Sequence, residues 1–192
     1  MAARAAAVEV TRERILNAAS DAFLTSWYDD VTLREVAAAA DVALQTVVNH
    51  FGTKEALYGT AVERISDAIE ARRYDVEPGD VEGAVAALIA DYDRTGDFAL
   101  RTLADEGRLT VVGPGLARGR RGHQDWVAHV FPRALTGLRG AARQRRLAQL
   151  IAVTDVYTWK LLRRDKGLSR DQTVLAVREL VEALHNSPKG GS

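Results

Sequence analysis

The sequence contains no cysteine. That absence removes disulfides, thiolate nucleophiles and cysteine-based zinc sites together, and it suits a reducing compartment. No run approaches the ~20 apolar residues of a membrane helix, and the start, MAARAAAVEVTRERI, lacks the apolar stretch of an export signal. The expectation is a soluble cytoplasmic protein with no membrane partner. A surplus of charge is missing too. The 26 Lys and Arg balance 26 Asp and Glu, so bulk electrostatics announce neither a nucleic acid nor a membrane surface. The balance is uneven along the chain: residues 1–73 hold 8 basic and 11 acidic residues, a net −3, and residues 74–192 hold 18 and 15. Any DNA contact in the first part has to be local.

Catalytic signatures are also lacking. There is no G-x-S-x-G, no H-E-x-x-H and no Walker loop, and Gly113-Pro114-Gly115 reads as a turn rather than a dinucleotide fingerprint. His50, His123, His129 and His185 lack metal-pair spacing on a common helix face. No enzyme, metal or cofactor is expected. No repeat recurs at a fixed period, and alternating strand-like runs are scarce.

Helical periodicity is what remains, and the expected fold is all-α. In the first helix, after Thr11, Ile15, Ala18, Ala19, Ala22 and Phe23 form one apolar stripe. A second helix opens on the capping box Thr32-Leu33-Arg34-Glu35 and carries Leu33, Val36, Ala37 and Ala40 inward. Its alanines keep it slim enough for close packing. Asp41-Val42-Ala43 separates it from a third helix over 44–51, and Gly52-Thr53 breaks the chain again before a helix over 54–73. Residues 74–80, with Pro78-Gly79, read as a domain boundary or hinge. Beyond it helices are expected over about 81–94, 97–107, 116–131, 141–165 and 170–186, before a disordered tail at 187–192.

Two short helices joined by about three residues fit a helix-turn-helix. At 100° per residue, Ala43, Val47 and Phe51 share one side of the third helix, while Gln45 and Asn49 lie opposite, flanked by Thr46 and Val48. Gln and Asn can bond adenine bidentately in the major groove, and a small apolar group can meet a thymine methyl. A solvated helix with one stray valine would show the same pattern, and periodicity alone leaves both readings open.

The stretches ILNAASDAF, VTLREVAAAADV and LQTVVNHFGTKEAL, between Thr11 and about Ala71, resemble the N-terminal domain of TetR-family transcriptional regulators. They end in that family's aromatic-turn-Lys-Glu signature, here Phe51-Gly52-Thr53-Lys54-Glu55. The resemblance implies an arm over 1–10, a helix-turn-helix DNA-binding domain and linking helix over 11–73, and an effector-binding and dimerisation domain over 74–186. It implies Gln45 and Asn49 as base readers with Leu44 beside them, and Thr46, His50 and Lys54 as phosphate contacts. Thr32 would meet a phosphate from the start of the second helix, and Arg4, Arg12 and Arg14 would supply local cations. Four positions depart from the family's pattern: Val48 replaces a tyrosine, Asp41 a turn glycine, Trp27 a helix-ending glycine and Ala43 a serine cap. Beside Gln45 and Asn49, Val48 is expected to touch a thymine methyl or a sugar.

In the larger part, the helix over 116–131 places His123, Trp126, Val127 and Val130 on one face. The helix over 141–165 is apolar on more than one side, and the last carries Val174, Val177, Leu180, Val181 and Leu184. An ordinary intrachain core fits these patterns. The resemblance adds that the last two helices, about 141–165 and 170–186, form a homodimer that places two recognition helices on a palindromic operator in double-stranded DNA. It further implies a repressor released by a small-molecule effector, with His123, Trp126, Asp155 and Tyr157 as candidate effector contacts. A helical interaction module without specific DNA binding is the competing reading.

Overall fold

A computed structural model describes residues 2–186, with side chains from Ala5 onward; the expected tail at 187–192 lies outside the described residues. Among the described residues every regular element is helical. The described residues form two compact units, those up to 68 with 101–117, and 69–100 with those from 118 onward.

The first unit opens with α1, Ala2–Thr25. It starts before Thr11, and the segment read as an arm is helical from Ala2 because it contains neither proline nor glycine and is rich in alanine. Ile15, Ala19 and Phe23 are buried as the periodicity predicts, joined by Leu16. Trp27 does not continue the helix. Instead Ser26 N–H bonds the Ala22 carbonyl, and Arg101 donates to the Leu24 carbonyl at 2.7 Å, closing an end that lacks a glycine. A 3-10 turn, Tyr28–Asp30, brings Tyr28 inward against Phe23 and Tyr58.

Next come α2, Leu33–Ala39, and α3, Leu44–Phe51. Val36, Ala37 and Ala40 are buried on α2, and α2 packs against both α1 and α3. Leu33, expected inside, is only half-buried. Helix α4, Lys54–Arg73, follows the left-handed Gly52, whose φ is 75°. In this unit α4 buries Leu57, Tyr58, Ala61 and Val62. The Tyr58 hydroxyl donates to the buried Asp105 carboxylate at 3.2 Å, which ties residues 101–117 to this unit.

In the second unit the expected break at Thr95-Gly96 is absent: α5 runs unbroken from Val81 to Asp105. Gly96 is there for space, since a β-carbon on it would lie 2.5 Å from Cζ3 of Trp159. Thr95 spends its hydroxyl on the Asp91 carbonyl within the helix. Helix α6, Gly113–Val130, absorbs Gly113-Pro114-Gly115 as its first turn, where a proline N–H would be unpaired anyway. The short α7, Pro132–Leu135, is followed by α8, Gly140–Thr154.

The long helix expected over 141–165 is three pieces. After α8 the chain turns extended at Asp155, then forms α9, Val156–Trp159, and a π-helical segment, Lys160–Asp165. The cause is local chemistry. Thr154 turns its hydroxyl onto the Leu150 carbonyl, and the Asp155 carboxylate accepts the Tyr157 N–H at 2.9 Å, which caps α9. The last helix, α10, Arg170–Asn186, lies where expected and packs on α7 and α8.

Candidate nucleic-acid interface

The region around α3 is built from its caps outward. Thr32 makes both bonds of the capping box: its Oγ1 accepts Glu35 N–H at 3.2 Å, and Glu35 Oε2 accepts Thr32 N–H at 2.9 Å. The hydroxyl donates to the same carboxylate at 2.8 Å, so its proton is already used within the helix start. These bonds from Thr32 hold the Glu35 carboxyl below its usual range.

The turn between α2 and α3 places Asp41 in the left-handed region, φ 51°, the conformation the usual glycine would supply. Arg14, expected as a cation of the arm, lies inside α1 and donates to the Ala40 and Asp41 carbonyls of this turn, the latter at 3.2 Å. Arg12 is likewise inside α1, paired with Glu9 and Glu13 and set over the Phe51 ring. Both arginines are therefore parts of the scaffold. The Arg4 side chain is not among those described. Ala43 caps α3 with no side-chain bond.

Val47 is fully buried and Phe51 half-buried, which anchors the inner side of α3. The opposite side is open: Leu44, Gln45, Val48 and Asn49 are exposed, and Thr46 and His50 are half-exposed. Val48 is 36% exposed and Leu44 39%, an apolar pair one turn apart beside the two amides. Gln45 Nε2 donates to Asn49 Oδ1 at 2.9 Å. Lys54 is drawn inward, with Nζ 4.2 Å from the centre of the Tyr28 ring and 3.4 Å from the Asp29 carbonyl. Burial, then a bond to Glu55, pushes the Tyr28 hydroxyl up to about 12, so the ring is neutral beneath the ammonium.

One group was not singled out in the sequence. Arg34 is exposed on the first turn of α2, and among the described residues of this unit it is the Arg or Lys without an ion pair, hydrogen bond or ring contact. The signal was its position in the capping box, where only the neighbours Thr32 and Glu35 are consumed by the cap.

The four candidate effector residues are not gathered into one open site. His123 is 8% exposed and Trp126 1% exposed, stacked with ring centres 5.7 Å apart. Trp126 Nε1 donates to the Arg73 carbonyl at 2.8 Å. Arg73 Nη1 donates to His123 Nδ1 at 3.3 Å, and His123 Nε2 lies 3.1 Å from the Thr154 hydroxyl. A guanidinium can only donate, so Nδ1 keeps its lone pair and the proton belongs on Nε2. Burial first, and then the Arg73 charge, pull the His123 pKa down to about 3. Asp155 serves as the cap of α9, and Tyr157 points outward at 58% exposure. A threonine-aspartate pair inside an apolar run is the cap signal that a reading of continuous periodicity passes over.

An exposed polar helix, α3, joined through the four residues 40–43 to the capped helix α2, which buries Val36 and Ala37, has the geometry of a helix-turn-helix. Residues 15–61 match the family described as bacterial regulatory proteins, tetR family. They form a TetR-type N-terminal domain, and with the larger helical part the chain has the fold of TetR-family transcriptional regulators. Similar solved structures include a transcriptional regulator from Rhodococcus sp. Rha1, 20% identical, covering 90% of this chain and 95% of that one, with a TM-score of 0.72. A tetR-family regulator from Streptomyces coelicolor is also 20% identical, covers 92% and 79%, and has a TM-score of 0.69. The multidrug binding protein EbrR, in complex with imidazole, is 23% identical, covers 88% of each chain and has a TM-score of 0.58. No curated protein matches the sequence significantly.

Proposed function

We propose that the protein is a sequence-specific DNA-binding transcriptional regulator that inserts α3 into the major groove. The observation that carries this reading is the outer side of α3, where Gln45, Asn49, Leu44 and Val48 stand exposed on a helix whose inner side is locked by Val47. Amides suit adenine edges and the valine suits a thymine methyl, so the residues on offer match groups displayed in that groove. Thr46 and His50 flank them as phosphate contacts, and Arg34 is a cation free to join. Thr32 and Lys54 reach a phosphate only by exchanging their bonds to Glu35 and to Tyr28 and Asp29.

The regulator acts as a homodimer through its last helices. In the single chain Tyr157 and Leu161, before α10, and Leu175 and Leu180, within it, are large apolar side chains left exposed, the kind of surface a second copy covers. A twofold dimer requires a palindromic operator with half-sites about one DNA turn apart. Repression released by a small molecule is the mode the fold suggests, and EbrR, described as multidrug binding, supports it. An effector engaging His123 or Trp126 would have to open their packed network, shifting the population of domain arrangements by its differential affinity.

Selection of bound duplexes from a random pool tests the proposal. A palindromic consensus with A·T pairs in each half-site is expected. Recovery of no consensus at low salt would favour the interaction module instead. With few free cations on this unit, a shallow dependence of affinity on salt is also expected.

A further inference from the structure

The turn between α2 and α3, residues 40–43, lacks the devices that ordinarily hold such a turn from within. Asp41 sits at φ 51° without being a glycine, the last turn of α2 has no basic residue to meet its final carbonyls, and Ala43 gives α3 no side-chain cap. A non-glycine residue in the left-handed region is strained, aspartate less than most. What stands in for the missing devices comes from α1. Arg14 Nη2 donates to the Ala40 carbonyl, to the Asp41 carbonyl at 3.2 Å and to Asp41 Oδ2 at 3.4 Å. The carboxylate contact adds little, because the Asp41 side chain is 99% exposed. The two carbonyls matter more: they belong to the peptide groups on either side of the Asp41 α-carbon, so holding both fixes its φ and ψ.

We infer that Arg14 is a positioning residue for DNA binding: by holding those two peptide groups it keeps Asp41 left-handed and fixes the direction in which α3 leaves α2. This rests on the reading of α3 as the recognition helix. Val47 anchors the middle of α3 to the core, and the turn anchors its start. Gln45 and Asn49 follow Asp41 on one helix, so a change of φ and ψ at Asp41 moves both together. A protein whose turn is correctly set for only a fraction of the time binds with an affinity reduced by that fraction. The strain at a left-handed non-glycine residue corresponds to roughly a five- to thirtyfold shift in population.

The test compares wild type, Arg14→Ala, Asp41→Gly and the double variant on the duplex that wild type selects from a random pool. Arg14→Ala should weaken binding by about five- to thirtyfold. The slope of log affinity against log salt should stay the same, because the guanidinium is spent on carbonyls rather than phosphates. Asp41→Gly adopts the turn unaided, so adding Arg14→Ala to it should cost less than about twofold. The clamp is also read without DNA, by amide hydrogen exchange. Val42 N–H bonds the Ala37 carbonyl at 3.0 Å and Thr46 N–H bonds the Ala43 carbonyl at 2.9 Å. Both should exchange faster in Arg14→Ala and regain protection in the double variant. All four proteins should keep the native circular dichroism.

A salt slope lower by about 1 in Arg14→Ala, or an equal loss of affinity in both backgrounds, would make Arg14 a phosphate contact and overturn the inference. Unchanged amide exchange in Arg14→Ala would overturn the clamp whatever the affinity does. A loss below about twofold for Arg14→Ala alone would also overturn the inference, leaving a turn contact with no part in binding. Each of these results leaves the DNA-reading helix in place as long as wild type selects a consensus. A wild type that selects none would overturn both.

Discussion

Around α3 the charged groups lie at the surface and hold the scaffold's edges, whereas in the larger unit charge goes inside. The Asp41 side chain, bonded by Arg14 at the turn, is 99% exposed. Asp91, on α5, is 2% exposed and takes Arg72 at 2.9 Å, Arg73 at 3.3 Å and Arg94 at 3.5 Å. Arg73 then reaches His123, and His123 reaches Thr154. A surface pair contributes little to stability and leaves its neighbourhood free to meet a polar partner. A buried network is costly when one member is lost, and it links the end of α4 to α5, α6 and α8 in a single arrangement. The difference separates a surface shaped for an outside partner from an interior shaped to have few alternative packings.

The largest effect is expected in the buried network. Asp91→Ala leaves Arg73, whose side chain is only 12% exposed, without its carboxylate, and a loss of about 3 kcal/mol is expected in urea unfolding. A loss below ~1 kcal/mol would place the network with the surface pairs.

Gly96→Ala pushes a methyl group into the Trp159 ring, with a contact of 2.5 Å that the packed site has to relieve. Overpacking of this kind costs about 1–3 kcal/mol. The same variant tests whether Trp159 keeps its bond to Asp93, 3.0 Å in the native arrangement, through a change in its fluorescence.

His123 makes the buried network sensitive to acid. Its pKa falls from 6.5 to about 3 on folding, so above about pH 6.5 both states leave it neutral and stability is complete. As the pH drops from about 6.5 towards 3, the unfolded chain gains a proton that the folded chain does not. Unfolding is then favoured by roughly 1.4 kcal/mol per pH unit from this group. The expected result is a smaller dependence of stability on pH between 6 and 4 in His123→Asn than in the native protein. Parallel slopes would show that the ring is not buried neutral.

The smallest effect on stability belongs to the exposed end. Val48→Thr is nearly isosteric on a surface position, and its unfolding free energy should stay within ~0.5 kcal/mol of the native value. Base preference should nevertheless change at one position per half-site, because the hydroxyl replaces an apolar contact with a thymine methyl. An unchanged selected motif would return Val48 to a packing role.

Much of this was legible in the residues. The stripe of Ile15, Ala19 and Phe23, the capping box at Thr32 and Glu35, and the division of α3 into an inner Val47 and outer Gln45 and Asn49 depend on neighbours within one or two turns. The unbroken α5 was not legible, since Gly96 breaks a helix or admits a ring depending on what lies opposite, and Trp159 is 63 residues away. Thr154 and Asp155 carried a readable cap signal, but the apolar run around them spoke louder.

The sequence by itself determined the all-helical class, the helix-turn-helix and the residues on its outer side, because caps and periodicity are local. Only the tertiary structure decided which cations are spoken for. Arg14, Arg12 and Lys54 look alike in a row of letters, and what they bind is set by carbonyls, carboxylates and rings that the fold brings to them.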